Sequence, residues 1–277
     1  MRSRIASAAA ATLFLAACGG GGPSAPPGLT FGLPDPAVVT YVSGDTSIID
    51  IDAGGQAMQA TMARSTTLGA AFARAAEGIQ LTLTVQDMVA SMTNPRASTS
   101  ADESGISGPL VMNLDRRGAV TVVSQPQVSE TASPFFQPLI LAHGMFPRLP
   151  GRAASVGESW TDTIRYEGAQ GPASVSVVSV MTYTLVGDTV VDGHSLVKLD
   201  LKGTSESSAG GITTGMDFKQ SVTGTLSGWV LWDQGRGLMV ESYGDMDGRG
   251  TMEVSAAPFP LGLRVRAQSK VRLLPGQ

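Results

Sequence analysis

"GIQLTLTVQDMVASM", Gly78 to Met92, decides the fold class. Ile79, Leu81, Leu83 and Val85 point one way along an extended chain, and Gln80, Thr82, Thr84 and Gln86 point the other. A helix would scatter these residues around its circumference. A strand collects them into one buried and one wet face.

The same alternation recurs in "GPLVMNL", "GAVTVVS", "DTIRYEG", "SVSVVSVMTYTLVG", "SLVKLDLKG", "MDFKQSVTGTLSGWVLWD", "GLMVESYGDMD", "GTMEVSA" and "LRVRAQSKVRLL". Turn signals separate the runs: Asp115 to Gly118, Asp192-Gly193, Asp233 to Gly237 and Asp247-Gly248 each put glycine where a turn needs positive φ. Consecutive strands are therefore expected to pair as antiparallel meanders. Two polar stretches without periodicity, "TNPRASTSADESGIS" (Thr93 to Ser107) and "GTSESSAGGITTG" (Gly203 to Gly215), read as mobile loops. "TLGAAFARAAEG", Thr67 to Gly78, fits a short helix or a hairpin arm, and its neighbours favour the arm.

One helix stands out, in "SPFFQPLILAHGMFPRLPG" from Ser133 to Gly151. Pro138 cannot lie deep in a helix, so the regular part is expected from Pro138 to Gly144. Phe135, Phe136, Leu139, Ile140, Leu141, Met145 and Phe146 make it apolar on nearly every side, which predicts burial.

"TYVSGDT" (Thr40 to Thr46) is echoed by "TYTLVGDT" (Thr182 to Thr189). Each phrase reads as a strand ending at a Gly-Asp-Thr turn. Each is followed by a glycine-led hairpin, "GPLVMNLDRRGAVTVV" and "GWVLWDQGRGLMVES". Turn chemistry repeats by chance in β proteins, so duplication stays open beside coincidence. If the halves are related, they span 37–130 and 155–277, joined by a helical connection at 131–154.

The first line, "MRSRIASAAAATLFLAAC", carries two arginines and then an apolar run too short for a permanent membrane helix, which needs about 20 residues. It reads as a secretion signal over 1–17. Its end, Leu15-Ala16-Ala17-Cys18, resembles the lipobox of bacterial lipoproteins. The resemblance implies that Cys18 becomes the lipid-bearing N-terminus and anchors the protein to a membrane. Cys18 is the single cysteine in the chain, so no internal disulfide can form. Gly19 stands where an aspartate marks inner-membrane retention in Gram-negative lipoproteins. By that resemblance the anchor lies in the outer membrane facing the periplasm, or on the outer plasma-membrane face of a Gram-positive cell.

"GGGGPSAPPGLTFGLPDP" follows, and residues 18–36 read as a Gly/Pro-rich tether that adds nothing to folding, leaving a β-rich domain over 37–277. The chain carries 19 Lys+Arg against 23 Asp+Glu. Losing Arg2 and Arg4 with the signal makes the mature protein more acidic still, which argues against a nucleic-acid partner.

There is no G-x-S-x-G, and with His143 and His194 as the only histidines no zinc spacing such as H-E-x-x-H can be written, so serine-hydrolase and zinc chemistry are both disfavoured and the balance is against an enzyme. His143 reads as a helix-end residue and His194 as part of a turn. Asp245, Asp247 and Glu253 lack the terminal ligand of a calcium loop. No phosphate-cradling glycine motif opens a helix, so neither cofactor nor metal is expected. Asp45 and Asp188, at the repeated phrase, read as caps of their own turns. Trp229 and Trp232 lie three apart on one strand and face opposite ways unless a bulge intervenes, so one of them can face a ligand.

"FPRLPGRAASVGESW" is similar to a phrase in uncharacterised bacterial envelope lipoproteins, through Pro147, Pro150, Gly157, Glu158, Ser159 and Trp160. The strand order and helix resemble the half-barrel of LolA-like envelope lipoproteins. The expectation is a mainly β protein whose antiparallel meanders form an open or half barrel with a short central apolar helix. Its expected role is noncatalytic binding of a lipid or other hydrophobic ligand, with Phe136, Ile140, Leu141, Trp229 and Trp232 as candidate contacts. The alternative is a structural or interaction lipoprotein with a filled core and an envelope protein as partner.

Overall fold

The computed structural model describes residues 28–170, 173–213 and 216–275. The signal segment, Cys18 and the first part of the tether lie outside the described residues. The first half holds β1 (Val38–Asp52), β2 (Ala57–Arg74), β3 (Ile79–Asn94), β4 (Ala97–Asp102), β5 (Ile106–Ser107), β6 (Leu110–Leu114), β7 (Val120–Ser124) and β8 (Gln127–Val128). After the helix α1 (Pro138–Gly144) come β9 (Ser159–Gln170), β10 (Ala173–Val191), β11 (His194–Thr213), β12 (Met216–Asp233), β13 (Leu238–Val254) and β14 (Leu261–Leu273).

All but β5 and β8 form one antiparallel sheet, ordered β7-β6-β3-β2-β1-β14-β13-β12-β11-β10-β9, with β4 folded onto β3. The sheet curls into a half-barrel. The chain enters at the middle, runs out to β7, crosses by the α1 connection to the far edge at β9, and returns until β14 pairs with β1, as in Tyr41 opposite Leu273. The first and last strands thus meet at the centre, and β7 and β9 are left as the two edges.

Alternation sets the register. The predicted face of β3 is buried at Ile79, Leu81 and Leu83, opposite Leu114, Met112 and Leu110 of β6. Three of the four turn signals form hairpins, with Gly118 at φ +81° and Gly193 at φ +80°. Asp247-Gly248 instead continues β13, because Asp247 stays on the wet face and pairs with Arg264 across the ladder at 2.8 Å.

The core fills one end of the concave face. Trp232 is fully buried, with its ring 4.7 Å from that of Phe31; Phe31 meets Phe146 edge-on at 6.0 Å, and Phe146 meets Tyr41 at 6.0 Å. The Tyr41 hydroxyl donates to the Met239 carbonyl at 2.8 Å.

Several expectations need correction. Residues 28–36 are body rather than tether: Leu29 is 1% exposed and Phe31 5%, and their backbone N–H groups bond to the Arg152 and Arg116 carbonyls. Apolar residues spaced two apart, Leu29 and Phe31, outweigh the surrounding glycine and proline once a core lies beside them. Over their described residues, neither polar stretch is a loop. Thr93 to Ser107 turns back on β3 as β4, and β11 runs through Gly203 to Thr213, since inward Ser205 and Ser207 keep period two without apolar side chains.

The ambiguous Thr67–Gly78 stretch is the end of β2, as favoured. Gly44-Asp45-Thr46 and Gly187-Asp188-Thr189 lie inside β1 and β10, the second at a bulge, and neither is a turn. The repeated phrases also sit differently. Two strands, β2 and β3, separate β1 from the glycine-led β6, whereas only β11 separates β10 from β12.

Candidate ligand-binding site

Beyond the core, the same inward face of the sheet continues uncovered. Inward parity is fixed by the buried residues Tyr41, Leu68, Leu199, Val230 and Val271. Followed along the strands, it reaches Ile49 and Ile51 on β1, Met58 and Met62 on β2, Val265 on β14, Met246 and Met252 on β13, and Leu226 on β12, all half-buried. Val222 and Leu263 are the most enclosed residues there, and they join none of the apolar clusters that make up the core.

The outward face at the same level is polar. Arg266 pairs with Asp50 at 2.9 Å, Arg264 with Asp247 at 2.8 Å, and Gln59 donates to Asp50 at 2.7 Å. These bonds hold the Asp50 and Asp247 carboxyls below the ordinary carboxylate range. Water therefore meets charge on the convex side and hydrocarbon on the concave side.

Between the closed and open ends, Arg64 of β2 faces inward. Its Nη2 and Nε donate to Asp45 Oδ2 at 2.7 and 3.1 Å, and its Nη1 donates to the Phe135 carbonyl at 2.7 Å. This clamp pins the connection before α1 across the concave face. There Phe135 and Phe136 pack on Met88 and Ala90.

A second hollow lies at the seam between the sheet's edges. The helix α1 touches β6, β7 and β9 and so spans the seam on its inner side. A cleft of about 540 Å³ opens there, bounded by Val120 to Gln125 of β7 and the residue after it, by Leu139 and His143 of α1, and by Arg165, Tyr166 and Glu167 of β9. The His143 ring stacks on Tyr166 with centroids 4.7 Å apart and planes 4° from parallel. Burial, helped by the positive charge of Arg148, holds the His143 pKa below its ordinary value, and burial pushes the Tyr166 phenol up to about 12. At one end of the seam Arg117 reaches Asp162 of β9 at 3.5 Å.

The five candidate contacts from the sequence do not share one site. Phe136 is buried in the cluster over β3, and Leu141 bridges that cluster to the main core. Ile140 is 45% exposed, since a helix lying on a sheet wets one flank whatever it carries. Trp232 is core, and Trp229 lies on the opposite face, stacked on Tyr243 at 6.2 Å. The bulge on this hairpin falls beside Trp232 and leaves the two tryptophans on different sides. Neither tryptophan faces the open concave surface.

The residues that do face it, such as Met252, Ile49 and Val265, are visible in the sequence only as ordinary alternating positions. Nothing local distinguishes a strand end under a lid from one without. Arg148 had a signal that was passed over: a lone cation between Pro147 and Leu149 in an apolar run.

Among the described residues, no group of three or more His, Cys, Asp or Glu side chains is placed to hold a metal, and no helix is long and apolar enough to cross a membrane. The chain matches no protein-family profile and no characterised protein. Crystal structures of Pseudomonas aeruginosa OpdQ, OccK7 (OpdD) and OpdO align with 86% of this chain and with 98%, 98% and 97% of theirs, at 6%, 8% and 6% identity and TM-scores of 0.26, 0.22 and 0.18. Similarities this faint carry no argument about fold or role.

Proposed function

We propose that this protein is a noncatalytic binding protein for a lipid or another hydrophobic ligand, exported and held at the envelope by lipid on Cys18. The observation that carries the reading is the uncovered part of the concave face, where Ile49, Ile51, Val265, Met246 and Met252 stand half-buried on the side of the sheet that elsewhere forms the core, packed on none of its clusters. Contiguous apolar surface left to water is costly, at about 25 cal/mol per Å², and on soluble bodies it marks a place where something binds. A trough walled by methionine and β-branched residues suits a flexible hydrocarbon chain, because methionine adapts its shape to its partner.

Native mass spectrometry of protein extracted from its own membrane is expected to show copurified lipid. A hydrophobic fluorescent probe should bind, and Val265→Asp or Met252→Asp should weaken it about tenfold or more with little change in melting temperature, since both sites are only half-buried. A protein that carries no lipid and takes up no probe is the filled-core interaction lipoprotein instead. The anchor has its own test: Cys18→Ala should abolish labelling by an alkyne fatty acid and release the protein from membranes. Labelling that persists in that variant would refute lipidation at Cys18.

A further inference from the structure

We infer that the seam between β7 and β9 binds an acidic group, a carboxylate or a phosphate on an otherwise apolar molecule, against the Arg148 guanidinium and the His143 imidazole. The concave-face reading is separate; this site lies between the sheet's edges.

The topology makes the seam. β7 pairs only with β6 and β9 only with β10, and no backbone hydrogen bond joins the two edges among the described residues. The cleft between them is apolar at Val120, Val122, Leu139 and the Tyr166 ring, and Arg165 and Glu167 of opposite charge stand at its β9 side.

Two buried nitrogens lack partners, one on the cleft wall and one on Arg148 behind it. His143 lines the cleft, and its Nδ1 is buried without a hydrogen bond. Arg148 lies close enough for its charge to act on His143, is 5% exposed, and leaves Nη1 buried and unbonded. Arg148 forms no ion pair among the described residues.

The carboxylates nearby are already engaged. Asp162 accepts from Arg117 and from the Thr163 N–H at 2.8 Å, and Asp115 accepts from the N–H groups of Arg117 and Ala119 at 2.8 and 2.7 Å. The backbone around Arg148 is fixed as well: its carbonyl receives the Trp160 Nε1–H at 2.8 Å, and the Leu149 N–H bonds to the Arg117 carbonyl at 2.9 Å.

The charges of Asp162 and Asp115 act on the buried guanidinium, but among the described residues no carboxylate lies within ion-pair distance of it, and a negative oxygen reaching it by way of the cleft would supply the close partner it lacks. The guanidinium fork accepts either anion, and the cleft walls add an apolar grip for the rest of the molecule. Neutral His143 retains one N–H to donate.

The test titrates the full-length protein in lipid nanodiscs with hexanoate, hexyl phosphate and hexanol, with empty nanodiscs subtracted. At least one anion is expected to bind about tenfold or more tightly than hexanol, the scale of a hydrogen bond to a charged group. The tighter of the two anions identifies the source as a fatty-acid carboxylate or a phosphate headgroup. Arg148→Met should erase the preference without lowering the melting temperature, and Arg148→Lys should keep part of it. If Arg148→Met does not fold, His143→Phe decides: a loss of about threefold or more supports the site, and unchanged affinity overturns it.

Equal binding of hexanol, no binding of either anion, or Arg148→Met with unaltered anion affinity would each overturn the proposal. Val265→Asp should leave anion binding intact. Its loss there would move the anion to the concave face and remove the seam assignment.

Discussion

The two ends of the concave face are made by the same strands and differ in what covers them. At the closed end, Leu29 and Phe31 from the N-terminal segment and Phe146 and Leu149 from the α1 connection fill the curl over Tyr41, Leu68 and Trp232. At the open end no described segment crosses, and Ile49, Ile51, Met252 and Val265 remain half-buried. The sheet itself does not distinguish them. A curled sheet buries its inner face only where chain returns to lie on it, and here both returning segments pass through the same end.

The largest expected effect tests whether the closed end depends on that filling. A chain starting at Ala37 loses Leu29 and Phe31 together and should be destabilised by more than the roughly 3–5 kcal/mol of a single buried Phe→Ala, as read by chemical denaturation. Unchanged stability would mean that the N-terminal segment is ornamental and that the two ends differ less than described.

Next comes the pair Trp232→Ala and Val265→Ala. The first removes a fully buried indole from the aromatic cluster and should cost about 3–5 kcal/mol; the second, at the open end, should cost less than about 1 kcal/mol. Equal losses would show that the open end is packed after all.

Glycine substitutions sharpen the contrast on a smaller scale. Gly118 and Gly193 both hold positive φ, which costs a non-glycine residue about 1 kcal/mol or more. At Gly118 a Cβ would also run into the Phe31 ring and approach the Pro147 carbonyl oxygen at 2.7 Å, whereas at Gly193 it would meet nothing within 4 Å. Gly118→Ala should therefore lower the melting temperature clearly more than Gly193→Ala, and the reverse order would place the closed-end filling elsewhere.

The smallest effect is expected at Ile140. It is exposed, so Ile140→Trp should leave stability within about 0.5 kcal/mol and leave probe uptake unchanged. The same change at Leu141, which bridges two buried clusters, should overpack them and cost about 1–3 kcal/mol. Probe binding lost in Ile140→Trp would bring the helix into the ligand site after all.

Much of this fold is legible in the residues themselves. Period-two alternation at Ile79, Leu81 and Leu83, or Asp-to-Gly turns at Gly118 and Gly193, act through nearest neighbours along the chain, so strands, hairpins and their faces follow directly. The helix from Pro138 to Gly144 is set in the same way, by proline at its start and glycine at its end.

Which apolar face becomes core was decided only by tertiary structure. Leu29 and Phe31 sit in a glycine- and proline-rich run that looks like a spacer, and they are buried because the curl offers them a surface. Val265 and Met252 look like core residues and stay half-buried because no described segment returns over them. Arg148 carries the same lesson for charge. Its sequence neighbours reveal an odd residue, but only the convergence of α1, β9 and the β6–β7 turn removes its water and leaves it without a carboxylate at ion-pair distance among the described residues. Burial depends on residues far apart in the chain, and no local pattern records where they meet.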